Sequence, residues 1–112
     1  MGNTMRQYAW PILVLAGMFE IGFSIGLKYS EGFTRLWPSV ATATMIVLSL
    51  GLVGVATRSL PLGTAYAVWT GIGAVGTVLM GIVLFGESAT LNRLACLGLI
   101  ITGIVGLKYL GK

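Results

Sequence analysis

The chain has 112 residues, 56% of them hydrophobic and only 9% charged, a composition that points to a polytopic membrane protein rather than a soluble domain. Its net charge of +4 would suggest nucleic acid in a soluble protein, but the Lys and Arg residues stand at the ends of apolar runs, where they anchor helices among lipid headgroups; no nucleic-acid partner is expected. With no His, no Asp and one Cys, a Ser-His-Asp set is excluded and ligands for a catalytic metal are nearly absent, so no enzyme activity, metal or cofactor is expected.

Four apolar runs separated by short polar breaks occupy residues 8–28, 36–57, 61–85 and 91–109. Each is long enough to cross a hydrocarbon core of roughly 30 Å as a helix, the form in which a lone segment satisfies its own backbone in lipid. The chain therefore reads as an all-α membrane protein, a single unit of four transmembrane helices covering residues 1–112, with both termini on one side.

The first run follows a short polar lead, MGNTMRQY. That arrangement imitates a signal peptide, but the run is too long and has no convincing cleavage site, so it is expected to remain as the first helix. Glu20 lies near its middle, where a carboxylate costs several kcal/mol and usually marks an ion or substrate path. Gly17 and Ser24, at i−3 and i+4 from Glu20, share its face. Gly17 either leaves room beside the carboxylate or lets another helix approach, and Ser24 can bond to the carboxylate or to a neighbour. Phe23, next to that face, supplies an apolar wall.

The second run opens on Trp37-Pro38, a sequence suited to a first helical turn. Its isolated hydroxyl, Ser49, bonds either across the bundle or to its own helix carbonyl. In the third run Tyr66, Trp69 and Gly73 share a face. The Tyr66 hydroxyl would suit a carboxylate partner or an interfacial belt, and a Trp69 face offers cation–π attraction of about 0.5–2 kcal/mol. Gly71, Gly73 and Gly76 mark a hinge, or a stretch of backbone closely approached by another helix. In the fourth run the lone Cys96 has no intramolecular disulfide partner and reads as a small packing residue. Cys96 and Gly103, seven apart with Gly106 nearby, suggest a seam between two copies. Lys108 anchors the end of that run.

The loop charges are almost balanced. Arg6, Arg58, Lys108 and Lys112 fall on one side, and Lys28, Arg35 and Arg93 on the other. The positive-inside rule needs a bias to set orientation, so copies are expected to insert either way up. Four helices make a thin bundle and one carboxylate a poor cation cage; a homodimer would bring two Glu20 side chains to one cavity. If antiparallel, that dimer has the in-plane pseudo-twofold axis of inverted-repeat transporters.

Taken in order, AGMFEIGFSIGLKYSEGFTRLWPS, LPLGTAYAVWTGIGAVG and the terminal GIVGLK resemble the small multidrug resistance family over nearly the whole chain, and GTAYAVWTGIGAVG with GLK resembles its guanidinium-exporter subtype. The resemblance implies an antiparallel dual-topology homodimer in a prokaryotic plasma membrane, exporting a small organic cation in exchange for protons. It implies that Glu20 binds proton and substrate in turn, with Gly17, Ser49, Tyr66 and Trp69 lining or supporting the site. Phe23 stands where the subtype usually carries Trp, which removes an indole N–H and leaves room for bulkier, more apolar cations.

The expected mechanism is antiport by competition at a coupled pair of Glu20 carboxylates. Guanidinium offers forked hydrogen bonds that match a carboxylate, whereas a quaternary ammonium relies on charge and aromatic faces. The alternatives are a promiscuous quaternary ammonium exporter, a heteromeric subunit, or a membrane protein with a structural role only.

Overall fold

The computed structural model describes residues 7–110; Arg6 and Lys112, two of the cations counted above, lie outside the described residues. Four helices follow one another: α1 (Ala9–Ser30), α2 (Leu36–Ala56), α3 (Leu62–Phe85) and α4 (Leu91–Leu110). Each is long and apolar enough to cross a membrane, which gives an all-α membrane fold.

The sequence punctuates these helices at both ends. Pro11, Pro38 and Pro61 sit in a first turn or at a cap, where the missing N–H costs no helical bond. The turn between α1 and α2 puts three successive residues in the left-handed region, Glu31 (φ 49°), Gly32 (φ 74°) and Phe33 (φ 66°). Two of these carry side chains, so the conformation needs outside support. Buried Ser30 supplies it: its hydroxyl donates to the Leu27 carbonyl at 2.8 Å and accepts the Phe33 N–H at 3.1 Å. At the end of α3, Gly86 (φ 66°) provides the left-handed stop that glycine adopts without strain.

α1 is the central element, packed most extensively on α2 and next on α3, while α4 rests on α3. Small residues permit the close approaches. A Cβ at Gly22 would lie 2.6 Å from the Met45 sulfur, and one at Gly26 would strike the Thr42 hydroxyl. The buried core comprises Leu13 and Ala16 of α1, Val53 and Ala56 of α2, and Ala65, Val68 and Trp69 of α3. Of α4, only Leu97 is buried among the described residues.

The assembly is flat, measuring 42 × 36 × 17 Å. One helix with its side chains is about 10–12 Å across, so the thin dimension holds less than two full layers. Large apolar side chains such as Met18, Val47, Val83 and Leu99 therefore lie exposed, as a lipid-facing or copy-facing surface requires.

Candidate functional site

The seam between α1 and α3 carries the polar groups in a regular register. The two helices run in the same direction, and positions four apart on each come to the same edge. Along α1 these are Ala16, Glu20, Ser24 and Lys28; along α3 they are Trp69, Gly73, Thr77, Gly81 and Phe85. Each rung brings together a different chemistry.

At the first rung, fully buried Ser49 of α2 donates to the Ala16 carbonyl at 2.7 Å and accepts the Trp69 indole N–H at 2.8 Å. Of the two bonds open to Ser49, the structure has the one across the bundle. One hydroxyl thus ties three helices together, one turn before Glu20. Trp69 is only 6% exposed, and its ring meets Tyr66 edge-on at a centroid distance of 5.2 Å. Tyr66 itself is 56% exposed, so within one chain its hydroxyl is not a buried partner for the carboxylate.

At the second rung, the Glu20 carboxyl packs directly onto the backbone of α3 at Gly73. A Cβ there would collide with Oε1 and Cδ, so only glycine leaves room for the acid. Oε1 is buried and has no hydrogen-bond partner among the described residues. An unpaired buried acceptor costs about 1–3 kcal/mol, which a proton or a donor cation at that oxygen would recover.

The third rung is a direct contact between hydroxyls. Ser24 Oγ lies 2.6 Å from Thr77 Oγ1 and also donates to the Ile21 carbonyl at 2.7 Å. Ser24 is therefore engaged with α3 and its own helix, not with the carboxylate. Thr77 is absent from the candidates named from sequence, although it lies one turn beyond Gly73 on the same face and continuing that spacing finds it. Beyond it, the Lys28 ammonium sits 5.0 Å above the Phe85 ring, and Glu87 pairs with Arg93 at 3.6 Å.

Of the remaining candidates, Gly17, Gly71, Gly76 and Phe23 are packed against neighbouring side chains in this conformation. Gly17 is filled by Ile72, whose Cγ2 would lie 2.5 Å from a Cβ there. Gly76 receives Ile21 of α1, and Gly71 receives Ile100 and Ile104 of α4, while α3 runs unbroken through all three central glycines. Phe23 is partly buried against the core. Cys96 is exposed, and a Cβ at Gly103 would meet open space, so neither packs within the chain.

A family model described as Small Multidrug Resistance protein matches residues 8–100. The chain is 61% identical over 100 residues to a protein of Yersinia pseudotuberculosis serotype I named Guanidinium exporter, covering 89% of this chain and 96% of that protein. It is 59% identical to a protein of the same name from Escherichia coli strain K12, covering 89% and 95%. A third relative of that name, from Proteus vulgaris, is 54% identical over 89% and 96% of the two chains. With four membrane-crossing helices and a match across most of its length, the chain belongs to the Small Multidrug Resistance protein family as a multi-pass bacterial membrane protein.

Proposed function

We propose that this chain is a proton-coupled antiporter that exports guanidinium or small guanidinyl cations. In this reading residues 1–112 act as one four-helix unit, paired with an antiparallel copy so that two Glu20 carboxylates share a site. The observation that carries it is Glu20 Oε1, buried mid-helix over Gly73 without a hydrogen-bond partner among the described residues. A carboxylate so placed needs either a proton or a cation. Guanidinium fits because its planar fork of N–H groups pairs with carboxylate oxygens, and the relatives carry guanidinium in their names.

Export then follows from exclusive occupancy. A cation entering from one side displaces protons from the Glu20 pair; after the dimer changes its open side, protons displace the cation. No bond of the substrate is made or broken. Ser49 and Trp69 hold α1 and α3 in register beside the acid, Gly17 and Phe23 shape its surroundings, and exposed Tyr66 offers its hydroxyl to the partner copy. Gly71, Gly73 and Gly76 give α3 the slack to move between two packings. The uncovered α4 surface around Cys96 and Gly103 forms the seam between copies.

A second reading keeps the mechanism and widens the substrate. Phe23 brings no hydrogen-bond donor to the carboxylate's surroundings, which favours apolar quaternary ammonium ions. Uptake into proteoliposomes under a proton gradient, comparing guanidinium with tetraethylammonium, separates the two. Guanidinium transport that disappears in Glu20→Gln supports the exporter reading, and equal transport of both ions moves the assignment to a broad cation exporter. Undiminished transport by Glu20→Gln would overturn the site.

A further inference from the structure

The slab is 17 Å thick and has two broad faces. On one of them α1 and α4 stand apart over α3 and leave an apolar trough of about 680 Å³, with Trp10 and Lys108 at its mouth and Val14, Met18, Val68 and Ile72 along it. Past Ile72 and Val105 it continues into a second hollow of about 330 Å³ that reaches Ile21 and Ile101. From Trp10 to Ile21 the trough follows about 16 Å of helix, close to one leaflet of a hydrocarbon core of roughly 30 Å. The features assigned above to the partner copy lie on the other face. Val105 and Lys108 fall on the flank of α4 opposite Cys96 and Gly103, with Ile104, which meets Gly71 of α3, between them. On α3, Val68 and Ile72 stand roughly 120–160° round the helix from exposed Tyr66. A copy that covers Tyr66 and Cys96 therefore leaves the trough to the lipid.

At the mouth, the exposed Lys108 ammonium sits 5.6 Å from the centroid of the Trp10 ring, a pairing suited to the headgroup level of a bilayer. No acidic side chain in the sequence falls on that side of the membrane. Glu20 is mid-helix, while Glu31 and Glu87 stand at the far ends of α1 and α3, each paired with an arginine. A cation at the head of an apolar trough, with no acid on its side, calls for an amphiphile with an anionic head and a hydrocarbon tail. We propose that the trough binds an anionic phospholipid, with one acyl chain lying along α1 and the headgroup phosphate on Lys108. Lysine binds phosphate as a point charge, and the phosphate's own negative charge replaces the missing carboxylate. The site is separate from Glu20, and its exposure to lipid rests on the antiparallel pairing proposed above. In such a pair the two troughs open to opposite leaflets.

The test is native mass spectrometry of the purified protein titrated with dioleoylphosphatidylglycerol or dioleoylphosphatidylcholine, which reads bound lipid and oligomeric state together. The parent is expected to bind the anionic lipid about five-fold more tightly than the zwitterionic one, the effect of a single cation near a headgroup. Lys108→Gln should bring that preference close to one, while Arg58→Gln, which removes an exposed cation on the same side but outside the trough, should keep it. Val105→Trp, which fills the trough from an exposed position, should weaken both lipids about five-fold or more and leave the dimer intact. If that variant fails to fold, Val14→Phe fills the same trough from α1. A preference that survives Lys108→Gln, or falls equally in Arg58→Gln, overturns the headgroup contact, and parental lipid binding by the filled trough overturns the site. A filled trough that splits the dimer and leaves lipid binding unchanged would show that a second copy occupies it. A monomeric parent would contradict the pairing alone, and the lipid comparisons would still decide the trough.

Discussion

At the residue scale, the site depends on what surrounds Glu20 more than on groups that touch it. Ser49 is the clearest case, because its one hydroxyl serves an indole donor on α3 and a carbonyl on α1. Ser49→Ala leaves the Trp69 N–H buried without an acceptor. Interhelical hydrogen bonds in bilayers are worth about 1 kcal/mol, and a loss of that size is expected in detergent unfolding of Ser49→Ala. A double-mutant cycle with Trp69→Phe should recover most of that loss as coupling between the two positions; additive losses would mean the bond contributes nothing. Glu20 and Ser49 are legible from the sequence because a polar group in an apolar run is conspicuous. Their partners are not. Trp69 reads from sequence as a cation–π face, and only the packing of α2 into the α1–α3 junction shows its N–H engaged with Ser49. Tyr66 shares a helix face with Trp69, yet that says nothing of depth, and the fold leaves it more than half exposed.

At the element scale, α3 is the helix on which the arrangement turns. Its central glycines read from sequence as either a hinge or a close approach. In the folded chain Gly76 accommodates Ile21 and Gly71 accommodates Ile100 and Ile104, so close approach accounts for this conformation. A helix that packs through glycines against both neighbours can slide without breaking, which is the property a switch needs. Gly76→Ala should therefore destabilise the protein by about 1–3 kcal/mol through overpacking, and Ile21→Ala added to it should restore most of the loss. Thermal unfolding in detergent measures this; a double variant less stable than Gly76→Ala would contradict the seam described. The four helices themselves are readable because runs of about twenty apolar residues admit few other structures in lipid. The pairing of α1 with α3 is not, since apolar faces all round a helix carry no sign of which neighbour they meet. It has to be read from the fit of particular glycines to particular side chains.

At the scale of the whole molecule, a slab 17 Å thick cannot enclose a cation, and its exposed apolar side chains outnumber its buried ones among the described residues. Both features suit a chain that completes its site with a second copy. The charges at the described helix ends and loops, Lys28, Arg35, Arg58, Arg93 and Lys108, give little bias between the two sides. If copies insert both ways up, a cysteine at Ser88 in a Cys96→Ala background should react with a membrane-impermeant thiol reagent in about half of the molecules of intact spheroplasts. Labelling of nearly all or nearly none would fix a single orientation and exclude the antiparallel pair.

The claim beneath all three scales is that one carboxylate holds protons and cation in alternation. Proton release on guanidinium binding tests it most directly, followed with a pH indicator in weakly buffered detergent solution of the purified protein. The expected result is a saturable release of protons from the parent protein and none from Glu20→Gln. Guanidinium binding without proton release, or equal release from Glu20→Gln, would contradict it.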